Sequence, residues 1–228
     1  GTAVRDLRGH SSAVLGVAFR KQSQTLFSAS RDRTVRIWSV SEGAPLETLY
    51  GHEDEVNAVD VQFAERAASC GRDSAVCYWK VPEQTHLTMN TRAGSIDCIR
   101  MLNEQVMVTG DDQGSINVWN VAKRKPVRSV HGAHGGTDFW ISAISGLVNT
   151  DLVASGSRDG CMRFWQVDFN GSRIAPVGTA SVPGFVNSIA FARSGRFVVA
   201  GVGSEHRFGR WWHLSGAKNG VAFVPLDT

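Results

Sequence analysis

Short apolar runs broken by polar residues set the rhythm of this chain. Segments such as VLGVAF (residues 14–19), TLFSAS (25–30), TVRIW (34–38) and PLETLY (45–50) carry many β-branched and aromatic residues, and Gly, Asp, Ser and Asn separate them. Their length and composition predict β-strands joined by tight turns, four to a group. No segment sustains a 3.6-residue apolar period over helix length, so an all-β chain is expected.

The groups repeat. Trp38, Trp79, Trp119, Trp165 and Trp212 stand 41, 40, 46 and 47 residues apart, and the first four close the phrases SRDRTVRIW, GRDSAVCYW, DDQGSINVW and SRDGCMRFW. A period of roughly 40–45 residues with Gly-His early and Trp late resembles the WD-type β-propeller, whose blades are four-stranded sheets. The expected fold class is all-β: a WD-repeat β-propeller over residues 1–228, with five blades visible that end near those tryptophans.

Each Trp strand is expected to be followed by its own outer strand, the last being VAFVPL (221–226). Residues 3–7 then resemble 45–50 and read as the outer strand of a missing preceding blade. Seven blades of about 40 residues need about 280, so the chain reads as part of a seven-bladed ring with two N-terminal blades missing. A closed five-bladed ring with a stray strand is the competing arrangement.

Polar residues recur at fixed offsets from each Trp. Ten places before it stand Ser28, Ser69, Thr109 and Ser155, with Val202 in the fifth repeat. Six places before it stand Asp32, Asp73, Gln113 and Asp159, with Asp112 displaced by one in the third repeat and His206 in the fifth. Gly9-His10 and Gly51-His52 open the first two repeats, Thr91-Arg92 takes that place in the third, and His134 is the candidate in the longer loop of the fourth.

Composition changes this picture little. The 228 residues are 42% apolar, enough for a sizeable core, and a formal charge of +3 argues only weakly for a polyanionic partner. Cys70, Cys77, Cys98 and Cys161 form no CxxC pair and read as reduced core thiols of an intracellular protein. No apolar stretch approaches the ~18 residues of a membrane span, and the opening GTAVRDLRGH lacks a signal-peptide plan.

His10, Ser28 and Asp32 have the residue types of a hydrolase triad. The second repeat duplicates them as His52, Ser69 and Asp73, which an enzyme has no use for. The structural reading is that Trp38, Trp79, Trp119 and Trp165 donate their indole N–H groups into chains of hydroxyl, imidazole and carboxylate that pin the loop over each blade. Arg31, Arg72 and Arg158 lie in the turns beside those aspartates and are expected to converge on one face, where Phe139 and Trp140 add a stacking surface for phosphates or carboxylates. The alternative is that the arginines are solvated or pair with Glu53 and Asp54. Lys123, Arg124 and Lys125 read as a polar hairpin, and no phosphate loop, metal helix or paired-carboxylate cleft is present in the sequence.

The fifth repeat departs from this pattern, reading GFVNSIAFARSGRFVVAGVGSEHRFGRWW with a double Trp and a His-Arg pair. That stretch resembles the last blade of the WD-repeat proteins specific to the U-three small nucleolar ribonucleoprotein, a box C/D particle of small-subunit ribosomal RNA maturation. AGSIDCI in the third repeat, FW before the fourth and NTDLVASGS within it extend the resemblance over residues 7–226.

The resemblance implies the last five blades of a seven-bladed ring and a non-catalytic scaffold in the nucleolus. That scaffold binds the U-three snoRNA near its box B/C element, together with a kink-turn-binding core protein and other ribosome-assembly proteins. No cofactor, metal, membrane or small-molecule substrate is expected. By position Glu205, His206, Arg207, Arg210 and Trp211 match the distinctive blade, to touch RNA or a partner or to hold the blade in place of the missing Asp. A protein-only WD adaptor presenting a propeller face to peptides is the rival reading.

Overall fold

In the computed structural model the described residues are 5–91, 94–147, 150–168, 170 and 172–226, and the side chains of Arg210 and Trp211 lie outside this description. Four antiparallel sheets follow one another, each of four sequential strands. The first holds β1 (Val14–Phe19), β2 (Thr25–Ser30), β3 (Thr34–Ser39) and β4 (Ala44–Tyr50). The second holds β5 (Val56–Val61), β6 (Arg66–Gly71), β7 (Ala75–Lys80) and β8 (Thr85–Asn90). The third holds β9 (Ile96–Met101), β10 (Val106–Asp111), β11 (Ile116–Asn120) and β12 (Arg128–Val130), and the fourth β13 (Ala143–Gly146), β14 (Leu152–Gly156), β15 (Cys161–Val167) and β16 (Ile174–Ser181). Among the described residues the one helical element is a 3-10 turn at Val81–Glu83, and no helix is long and apolar enough to cross a membrane.

The turn between the second and third strands has one design in all four sheets. Arg33, Ser74, Gly114 and Gly160 take positive φ there, at 68°, 60°, 71° and 73°. Glycine meets that conformation without strain, whereas Arg33 and Ser74 need it fixed from outside. The fixing group is an aspartate: Asp32 Oδ1 accepts from the Thr34 amide and Asp73 Oδ1 from the Ala75 amide, both at 3.1 Å.

The core lies between sheets. Phe27, Val35 and Ile37 of the first sheet pack on Val56, Val59 and Trp79 of the second. The same happens between the second and third, the third and fourth, and the fourth and fifth. Cys70, Cys77 and Cys98 are buried free thiols, and burial pushes Cys98 up to about 12.

The fifth repeat breaks the expected order. Strands β17 (Phe185–Phe191) and β18 (Phe197–Gly203) pair as before, but the Trp strand leaves the sheet. It forms a separate hairpin of β19 (Glu205–His206) and β20 (Gly209–His213). The last strand, β21 (Gly220–Pro225), pairs directly with β18, so VAFVPL takes the third place and not the outer place anticipated for it. The reason is chemical: Val202 cannot accept an indole hydrogen bond and no aspartate fixes the turn, so nothing holds Trp212 in the sheet.

Of the anticipated strand at residues 3–7, Ala3 and Val4 lie outside the described residues, and Arg5, Asp6 and Leu7 carry no regular structure. The Arg5 guanidinium instead donates to the Val40 and Ser41 carbonyls. Apolar side chains stand in solvent on the first and last sheets, among them Val17, Phe19, Tyr50, Val221 and Phe223.

Candidate functional site

The repeated polar residues form complete relays. In the first sheet the Trp38 indole donates to Ser28 Oγ at 2.7 Å, Ser28 meets His10 Nε2 at 2.7 Å, and His10 Nδ1 meets Asp32 Oδ2 at 2.7 Å. The second repeats this with Trp79, Ser69, His52 and Asp73, each contact at 2.8 Å. The fourth does so with Trp165, Ser155, His134 and Asp159 at 2.8, 2.8 and 2.9 Å.

Each hydroxyl is occupied on both sides, so it serves as a relay member and not as a free nucleophile. At Asp32 burial works against ionisation, but bonds from Thr34, His10 and the Ser11 and Thr34 amides outweigh it and hold the carboxyl below its ordinary value.

The third sheet solves the problem differently. Trp119 donates to Thr109 Oγ1 at 2.9 Å, and Arg92 lies outside the described residues. Neither Gln113 nor Asp112 takes the aspartate's part. Asp111, at the end of β10, accepts from the Ser115 amide at 2.7 Å and from Asn117 Nδ2 at 3.0 Å, while burial pushes its carboxyl up.

A second recurring feature sits on the inner strands. The pairing register slips at Leu15, Asn57, Asp97 and Asn187, each the second residue of its strand or its neighbour. Such a bulge turns one side chain out of the ladder and re-aims it. Leu15, Asn57 and Asp97 consequently line a cavity of about 220 Å3, which Arg31, Glu55, Arg72, Asp112, Trp140 and Phe208 complete. Asn57 Nδ2 donates to Ser95 Oγ at 2.8 Å and to Asp97 Oδ1 at 3.2 Å. Burial pushes the Asp97 carboxyl up to about 7, and its Oδ2 is buried with no hydrogen-bond partner.

Arg31, Arg72 and Trp140 thus meet at one cavity, as their turn positions suggest. Arg31 pairs at 3.5 Å with Glu55, and neither Glu53 nor Asp54 supplies that contact. Arg158 lies apart: its guanidinium stacks 4.3 Å from the Trp212 ring and 5.3 Å from Phe139. Trp140 in turn meets Trp212 edge-on at 4.8 Å and His206 at 5.5 Å.

His206 is buried, which leaves it no surface for a partner. Burial, then the charge of Arg207, pulls it down to about 4, so it is neutral at physiological pH. Its Nδ1 accepts from the Phe208 amide at 3.3 Å. Asn187 fastens the same hairpin, donating to the Glu205 carbonyl at 2.8 Å and accepting from the Arg207 amide at 3.0 Å. From there Arg207 stacks 4.2 Å from Phe208 and donates to the Asp97 carbonyl of the third sheet. The Arg210 side chain lies outside the described residues.

Phe208, Asn57 and Asp97 escape a repeat-based search. For Asn57 and Asp97 the signal is a polar residue at the start of an apolar inner run, as in EVNAV, SIDCI and FVNSI, and for Phe208 it is the aberrant stretch SEHRFGRWW.

Comparison with known proteins adds to this geometry. The family described as WD domain, G-beta repeat matches residues 1–39, 43–80 and 124–166. The chain is 44% identical over 268 residues to the U3 small nucleolar RNA-interacting protein 2 of Homo sapiens, covering 96% of this chain and 56% of that protein. It is 38% identical over 236 residues to the U3 snoRNP-associated protein-like EMB2271 of Arabidopsis thaliana, covering 98% of this chain and 49% of that protein. The chain therefore spans about half the length of these curated relatives. A solved structure of U3-55K superposes with a TM-score of 0.93 at 43% identity, over 96% of this chain and 69% of the other.

Proposed function

This chain belongs to the WD domain, G-beta repeat family, and from that premise we propose that it is a non-catalytic scaffold subunit of the U3 small nucleolar ribonucleoprotein. In this reading it binds the U3 snoRNA beside a kink-turn core protein and supports pre-ribosomal RNA processing and small-subunit biogenesis in the nucleolus. The exposed apolar faces of the first and last sheets are, in the same proposal, seats for further blades of a seven-bladed ring.

The observation that carries the RNA contact is the fifth-repeat hairpin, which brings Phe208 to the cavity rimmed by Arg31, Arg72 and Trp140, while the neighbouring Arg207 reaches the Asp97 carbonyl. Guanidinium groups position a phosphate backbone, and a partly exposed ring beside them stacks a base; neither demands a base-specific code. Glu55, Asp97 and Asp112 in the same wall favour a second reading, a protein adaptor that takes a basic side chain of a partner.

Cross-linking RNA to the protein in cells, followed by sequencing, separates the two. Recovery of U3 snoRNA is expected, and the Arg31→Ala, Arg72→Ala double variant is expected to lower it without moving the melting temperature. Recovery of no small nucleolar RNA above background would overturn the proposal in favour of the adaptor.

A further inference from the structure

The inner strands β1, β5, β9, β13 and β17 pack in turn against one another and together line a channel; they run from the Arg31–Arg72 cavity at one end to the opposite end. The turns beyond them hold Lys21, Phe63, Leu147 and Arg193, which with Arg100 and Phe191 line a cavity of about 590 Å3. That volume lies within the range of small-ligand sites, about 300–1,000 Å3.

Three cations face this space. The Lys21 ammonium donates to Gln62 Oε1 and lies 5.2 Å from the centroid of the Phe63 ring. Arg100 Nη1 is 3.3 Å from Asp60 Oδ1, while its Nε is buried without a hydrogen-bond partner. Arg193 is exposed at the rim. Burial, then the charge of Arg100, lowers the Lys21 pKa, and Asp60 and Glu104 only partly offset that. An anion between Lys21 and Arg100 relieves their repulsion.

The rings decide which anion. Phe63 is half-exposed and Phe191 lines the same wall, so a flat aromatic surface sits beside the cations. Single-stranded nucleic acid uses both features together, phosphate on cations and base on ring, and stacking is worth about 1–3 kcal/mol per base. An acidic peptide uses only the cations.

We propose that this second mouth holds one nucleotide of a single-stranded RNA segment, its phosphate on Lys21, Arg100 and Arg193 and its base against Phe63 or Phe191. The proposal rests on the ribonucleoprotein reading only for the source of that RNA.

The test uses a fluorescent oligouridine ten-mer carrying 5-iodouridine, titrated against the protein and its Lys21→Ala, Arg193→Ala variant. The expected result is at least tenfold weaker binding by the variant, a shallower salt dependence by about 1.4 in the log–log slope for two lost contacts, and a photo-cross-link at Phe63 or Phe191 in the native protein. Arg193→Glu alone, at an exposed position, gives the same direction of change without disturbing the Lys21–Gln62 bond. Unchanged affinity in both variants overturns the site, and so does tighter binding of a glutamate-rich peptide than of the oligonucleotide. Either failure leaves the recovery of U3 snoRNA from cells untouched, so it does not sink the ribonucleoprotein reading.

Discussion

His52 shows how a relay sets both shape and pH response. Burial alone disfavours its charged form, but its interactions with Asp73 and Cys77 together outweigh that and raise its pKa to about 9. The folded state therefore holds the proton more tightly than an unfolded chain, whose histidine titrates near 6.5. This contribution to stability is complete below about pH 6.5 and is lost as pH rises through about 9. Calorimetric melts from pH 6 to 10 should show a falling midpoint that His52→Gln flattens; parallel curves for the two proteins would exclude the relay as its cause. Asp73→Ala strands buried partners at about 1–3 kcal/mol, and each kcal/mol is worth about 2–4 °C in a domain of this size. These relays are legible in the sequence because Ser28, Ser69, Thr109 and Ser155 keep one spacing from their tryptophans. The antiparallel pairing of the second and third strands fixes that spacing. His134 is harder to place, since the loop before the fourth sheet is longer and only the folded chain brings it to Asp159.

Among the elements, the β19–β20 hairpin is the one that local pattern misplaces. Its sequence carries a Trp at the family period, yet the strand is held by ring contacts to the fourth repeat and not by a ladder with β18. Trp212→Ala removes the ring on which Arg158 and Trp140 rest. Hydrogen exchange should then accelerate at residues 205–213 while β17, β18 and β21 keep their protection. Equal acceleration throughout the fifth sheet would mean that the hairpin and sheet unfold as one unit. The same contacts explain why Arg158 belongs to packing: a guanidinium stacked between Phe139 and Trp212 is a poor choice for a binding variant, and Arg31 and Arg72 serve that purpose better.

At the scale of the whole molecule, each inter-sheet seam is filled, whereas Tyr50 at 72% and Val221 at 76% exposure mark uncovered apolar faces on the first and last sheets. Open faces and edges of this kind invite pairing with another chain. The 228-residue chain alone is expected to self-associate with rising concentration in sedimentation experiments, and Val17→Lys with Phe223→Lys should suppress it; a monomer at all concentrations would show that these faces are not adhesive. The sequence by itself determined the strand content, the sheet order of the first four repeats and the relays of the first two, because alternation, turn chemistry and fixed offsets are local and repeat. Only the tertiary structure decided the fate of the fifth repeat and the composition of the two channel mouths. Those depend on which side chains from separate repeats meet across space: Trp212 with Arg158, Arg207 with Asp97, and Lys21 with Arg100.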